Sequence, residues 1–238
     1  MLVLSLFPGI GLLDMAFEEQ GFCIVRGPDA LWGGDIKRFH PPVNRFDGII
    51  GGPPCQTFSQ LRYLVEHNGY TIKSENLIPE FERCIDEAQP AWFLMENVRQ
   101  APNPDVSGYT VNSFLLDNRS CGGEQRRLRK IVFGTRKTDA NLLRFLNIQT
   151  FEQIDECPTV CASGGMKISL QSKKMNGRVM GWKTAGALKQ SLKAQGLPED
   201  FLDDAPFTLK GKHTVVGNGV PLPMGRTIAK AVKHSMMR

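Results

Sequence analysis

The stretch at residues 2–17, LVLSLFPGIGLLDMAF, decides how the rest of the chain is read. It opens as an apolar run that stops at Pro8-Gly9. Proline has no amide donor and cannot continue a ladder, so the run reads as a short buried strand over 2–7. Leu12, Leu13, Ala16 and Phe17 then recur at helical spacing and predict a helix over 12–20. So apolar a start also suggests a signal peptide. No basic residue leads it, however, and Pro8, Gly9, Gly11 and Asp14 interrupt it, so a buried strand entering a helix fits better. No apolar run approaches the length of a membrane span.

Working outward, short apolar runs predict strands at 22–25, 47–50 and 92–95. Phe81, Cys84, Ile85 and Ala88 share one face of a helix over 78–87, which Pro90 ends. Residues 109–116 and 128–134 read as an antiparallel strand pair, and 227–234 as a closing helix. Strand and helix alternate through the first hundred residues. That implies an α/β fold: a mostly parallel sheet with helices on both faces. In such sheets ligands sit beyond the carboxyl ends of the strands. F-P-G-I-G (7–11), G-G-P-P-C (51–55) and E-N-V (96–98) all fall there.

A length of 238 residues suits one sizeable core. The six cysteines form no C-x-x-C pair, and no nearby histidine pair joins Cys157 and Cys161. No metal site is expected, and the thiols read as reduced and intracellular. Seven basic residues and no acid fall between Met166 and Gln195. Such a run is either a solvated face or a contact with a polyanion such as nucleic acid.

Four short stretches carry candidate chemistry, each beside a structural alternative. Gly9 and Gly11 either admit a ligand to the backbone or make a tight turn. Cys55, held behind Pro53-Pro54, is either an aimed nucleophile or a small core residue. Glu96 ends an apolar strand, where a carboxylate is costly unless hydrogen-bonded; otherwise it is a solvated strand end or a helix cap. Arg127 and Arg129 share one face of a strand, suited to phosphates or carbonyl oxygens, or lie along an exposed basic edge.

In order along the chain, F-P-G-I-G, G-D-I (34–36), G-G-P-P-C-Q-T-F-S (51–59), E-N-V, Q-R-R-L-R (125–129) and G-N-G-V (217–220) resemble the motifs of the DNA cytosine-5 methyltransferases. The resemblance covers residue 2 to about 136 and resumes near Cys157. It implies a Rossmann-like methyltransferase fold, the cofactor S-adenosylmethionine and double-stranded DNA as partner. It implies that Cys55 attacks carbon 6 of a flipped cytosine. Glu96 then contacts ring nitrogen 3, Arg129 the carbonyl oxygen, and Arg127 supports Arg129. Pro53 receives the amino group of the base, with Gln56 and Ser59 beside it. Phe7, Gly9, Ile10 and Gly11 form the first cofactor loop. Asp35 and Ile36 sit by the adenine, Pro54 and Leu77 line the pocket, and Asn218 and Val220 close it. Ser5 stands where the family often has an aspartate, Leu12 replaces a common glycine, and the acid for the ribose hydroxyls is displaced to Asp29.

The resemblance also divides the chain: a catalytic core at 1–136, a reduced recognition lobe at 137–200, and a C-terminal segment at 201–238 that returns to the core. A lobe so small implies short or relaxed sequence specificity. The expected protein is a cytoplasmic monomer of a bacterial or phage-type host, of the restriction-modification kind. The alternatives are a methyltransferase acting on cytosine in transfer RNA, and a non-catalytic or partner-dependent DNA-binding subunit.

Overall fold

The structure is a computed structural model that describes residues 1–58, 75–137, 141–150, 157, 159–162 and 184–237. Ser59, about half of the expected recognition lobe and much of its basic stretch lie outside the described residues.

Six strands form one sheet: β1 (Leu2–Leu6), β2 (Cys23–Arg26), β3 (Gly48–Gly51), β4 (Trp92–Asn97), β5 (Thr110–Asp117) and β6 (Leu128–Thr135). Their order is β2-β1-β3-β4-β6-β5. The first four are parallel; β6 runs antiparallel to both β4 and β5. This is the mostly parallel sheet and the antiparallel pair that the sequence implies.

The strands read as unbroken apolar runs because both faces are covered. Val3, Ile50, Trp92, Leu94, Ile131 and Phe133 face one side, where helices α1 (Leu12–Glu19) and α5 (Leu222–Met236) bring Phe17, Ile228 and Val232. Leu4, Leu6, Ile49, Phe93, Met95 and Val132 face the other, under Phe81, Cys84 and Ile85 of α2 (Ile78–Ala88). Two further helices, α3 (Ala185–Ala194) and α4 (Leu209–Asn218), join a third cluster that packs on Leu12 and Ala16 of α1.

Most boundaries fall within a residue or two of their expected places. β4 runs on through Glu96 and Asn97, which pair with Ile131 and Lys130 of β6. The ladder therefore fixes the backbone of both polar residues. α5 starts at Leu222, well before the expected 227, because its first turn accommodates Pro223. Helices α3 and α4 have no counterpart in the sequence reading. Each has a threonine N-cap: Thr184 accepts from the amide of Ala187 and Thr208 from that of Gly211.

Residues 27–47, between β2 and β3, hold only two short 3-10 turns, Ala30–Trp32 and Ile36–Arg38, capped by Asp29 and Asp35.

Glycines of the sheet are set by close approach, Gly48 to the Trp92 ring and Gly134 to that of Phe93. Gly134 pairs with Phe93, and a Cβ on it would fall 2.1 Å from the Phe93 ring. Gly134→Ala should cost about 1–3 kcal/mol, typical of overpacking. Urea unfolding checks this: the midpoint should fall while the slope stays unchanged.

Candidate active site

A cavity of about 530 Å3 opens where β1, β3 and β4 end. Four stretches far apart in sequence form its wall: 5–14, 28–36, 51–56 and 214–220. Leu77, Glu96, Asn97, Val98, Arg127 and Arg129 complete it. Nearly every residue singled out from the sequence meets here. Phe7, Gly9, Ile10, Asp29, Asp35, Ile36, Pro54, Leu77, Asn218 and Val220 line it, as do Pro53, Cys55, Gln56, Glu96, Arg127 and Arg129. Gly11 does not line it; it caps α1 behind the wall.

The first turn is held in an uncommon backbone state. Phe7 has φ of 56°, a left-handed conformation that a bulky residue adopts only when its surroundings enforce it. The enforcing contacts are visible. Gly11 N donates to Pro8 O at 2.8 Å, Gly9 N donates to Asp29 Oδ2 at 2.8 Å, and Trp32 Nε1 donates to Gly9 O at 2.8 Å. Asp29, expected as the ribose acid, thus also latches the turn, and its Oδ1 accepts from Leu31 N.

Ser5 occupies the place where the family often has an acid, yet the cavity keeps a carboxylate nearby. Ser5 Oγ donates to Asp14 Oδ1 at 2.5 Å, and Arg26 Nε lies 3.0 Å from Oδ2. Burial pushes the Asp14 pKa up; the Ser5 hydrogen bond and the Arg26 charge oppose that rise.

At the other end stand Cys55, Glu96, Arg127 and Arg129. Arg129 Nε pairs with Glu96 Oε1 at 3.0 Å. Burial raises the Cys55 pKa and the Glu96 charge adds to the rise, while Arg129 and Arg127 oppose it. At neutral pH Cys55 is therefore a thiol and must lose its proton to become a nucleophile. Pro53 O, expected to meet the base, accepts from Asn97 Nδ2 at 3.1 Å. One lone pair is taken and the carbonyl is aimed.

Arg127 is almost wholly buried. Its Nη1 donates to Val160 O at 3.0 Å and its Nη2 to Gly217 O at 3.1 Å. Burial and then Arg129 lower its pKa to about 9, and Glu96 and Cys55 act the other way. Gly217 must be glycine, since a Cβ there would fall 2.2 Å from the backbone nitrogen of Ala162. Beside it, Gln125 Nε2 donates to Ala194 O and to Gln195 Oε1, and Gln125 Oε1 accepts from Val160 N. Gln195 Nε2 in turn donates to Val216 O at 2.5 Å.

Sequence reasoning missed Asp14, Asn97 and Gln195. Asp14 and Asn97 carry a local signal, each being polar within an apolar context. Gln195 carries none, because its partner Gln125 lies 70 positions away.

The cavity fits S-adenosylmethionine. Apolar Phe7, Ile36, Leu77 and Pro54 suit a flat ring, the carboxylates of Asp29 and Asp35 suit hydroxyl and amino groups, and a Cβ placed on Gly9 would meet open space. Among the described residues no cluster could hold a metal ion. No helix among them is long and apolar enough to cross a membrane.

The family model for C-5 cytosine-specific DNA methylases matches residues 33–180. Type II methyltransferase M.HgiDI of Herpetosiphon aurantiacus is 31% identical over 57% of the chain and 52% of its own length. M.FnuDI of Fusobacterium nucleatum is 32% identical over 64% of the chain and 50% of its own. The chain spans about half the length of these relatives. A solved E. coli prophage structure, described as a DNA modification methyltransferase, superposes with a TM-score of 0.65 over both full chains at 16% identity, a likeness of fold.

The charges around Cys55 predict its reactivity. Iodoacetamide should alkylate it with a pH midpoint above that of an ordinary thiol. Glu96→Gln removes a charge that disfavours the thiolate, so the midpoint should move down; Arg129→Met should move it up. Mass-spectrometric rates at several pH values check both signs.

Proposed function

Because the chain belongs to the C-5 cytosine-specific DNA methylase family, we propose that it methylates carbon 5 of cytosine in DNA through a covalent bond to Cys55. The observation that carries this reading is the gathering of Cys55, Glu96, Arg127 and Arg129 at one end of a cavity. The other end suits the cofactor.

Phe7, Asp29, Asp35, Ile36 and Leu77 would hold S-adenosylmethionine, with Asn218 and Val220 on its C-terminal side. When bound, it supplies an electrophilic methyl group to carbon 5 of the base. The chain's own residues prepare that carbon. A base turned out of the duplex enters beside Cys55. Deprotonated Sγ bonds to carbon 6, and the displaced electron pair moves onto the ring. The proton leaving Sγ passes to nitrogen 3 by way of the Glu96 carboxylate, and Arg129 donates to the carbonyl oxygen, so negative charge developing there meets preorganised partners. Pro53 O accepts from the exocyclic amine with its remaining lone pair. Loss of the carbon 5 proton to a water molecule then returns an electron pair to the ring and expels Sγ.

The rigid Pro53-Pro54 turn matters because in-line attack tolerates little positional error. Residues 137–156 and the basic stretch beyond Gly165 offer few side chains to read base edges, which supports short or relaxed specificity. Relatives named Type II methyltransferases favour a restriction-modification setting.

Radiolabelled S-adenosylmethionine, offered separately with mixed-sequence duplex DNA and bulk transfer RNA, tests the reading. Label should enter DNA and should be lost in Cys55→Ala. Label entering only RNA would overturn it in favour of a transfer RNA enzyme. Bisulfite sequencing of the methylated DNA should then find a short or degenerate context; a unique site of about four or more fixed bases would contradict relaxed specificity.

A further inference from the structure

The loop that carries Asp35 and Ile36 has no helix of its own. A connection between parallel strands ordinarily includes one, which packs on the sheet and stiffens the loops at its ends. Here residues 27–47 hold only two 3-10 turns. The second, Ile36–Arg38, has Asp35 as N-cap and Phe39 as C-cap. One side of it, through Asp35 and Ile36, forms cavity wall.

The other side rests on Arg83 of α2. Arg83 Nη2 donates to Ile36 O at 2.8 Å and to Phe39 O at 3.0 Å, so one nitrogen grips both ends of the turn. The guanidinium is itself oriented from α2: Nε donates to Glu80 at 2.9 Å and Nη1 to Glu87 at 2.7 Å. Its side chain is 27% exposed, so these bonds are shielded in part from solvent. A second strut, Lys37 to Glu75 at 2.7 Å, is far more exposed and should contribute little. Arg83 is not among the residues that line the cavity.

We infer that Arg83 is a positioning residue for cofactor binding: from behind, it holds the 36–39 turn in the shape that presents Asp35 and Ile36 to the cofactor. This rests on the reading of the cavity as an S-adenosylmethionine site. The fork geometry is the essential feature. Lysine keeps the charge beside Glu80 and Glu87 but has no planar fork to join them to two carbonyls.

The test is calorimetric titration with S-adenosylhomocysteine in the absence of DNA, paired with steady-state methylation at varied cofactor. Arg83→Met should raise the Kd and the cofactor KM roughly tenfold, the scale expected for losing hydrogen bonds from a charged group. Arg83→Lys should fall between it and the wild type, and Lys37→Met should match the wild type. At saturating cofactor, kcat and the KM for DNA should stay within about twofold, the pattern of a lost binding contribution rather than a damaged reaction centre. Wild-type protein that binds no S-adenosylhomocysteine would overturn the cofactor reading and this inference with it. Wild-type binding with no weakening in Arg83→Met and Arg83→Lys would overturn the inference alone, as would a fall in kcat at unchanged Kd. If the methionine variant does not fold, the lysine variant decides.

Discussion

The buried guanidinium of Arg127 ties together parts of the chain that sequence keeps far apart. It stands at the entry to β6 and bonds the carbonyls of Val160 and Gly217, 33 and 90 positions away. Removing it would leave two buried acceptors without partners, at about 1–3 kcal/mol each. The same anchorage sets the active site. Arg129 follows two residues later on the ladder, so fixing Arg127 also fixes the partner of Glu96. Gln125 and Gln195 extend the network to the ends of α3 and α4. The 214–220 wall of the cavity and the entry to β6 are therefore tied to one another.

Around that anchor the electrostatics are balanced rather than permissive. Burial and Glu96 keep Cys55 protonated, while two arginines pull toward the thiolate. In the proposed reaction, the entry of a base shifts this balance, because Glu96 and Arg129 then turn toward ring atoms instead of each other. A thiol held in reserve this way is protected from stray electrophiles, since the thiolate is the reactive form.

Much of the fold was legible because it rests on local signals. The apolar run of β1, the break at Pro8-Gly9 and the spacing of Leu12, Leu13, Ala16 and Phe17 need no knowledge of the rest of the chain. The β4 run gave Glu96 its place, and the Pro53-Pro54 turn gave Cys55 its interest. Helices α3 and α4 were not legible: their apolar faces pack on one another and on α1, and Lys189, Lys193, Lys210 and Lys212 mask the periodicity. The grip of Arg83 on Ile36 and Phe39 was equally hidden, since its partners are backbone carbonyls more than forty positions away. Such contacts leave no pattern in either segment.

The central claim is that Cys55 forms a covalent bond to carbon 6 of cytosine, and trapping that bond tests it most directly. Duplex DNA carrying 5-fluorocytosine, incubated with protein and S-adenosylmethionine, should yield a complex that survives denaturation. Fluorine cannot leave carbon 5 as the proton does, so the sulfur is not expelled. Peptide mapping should place the adduct on Cys55. An adduct on another residue, or methylation of ordinary DNA by Cys55→Ala, would contradict the account.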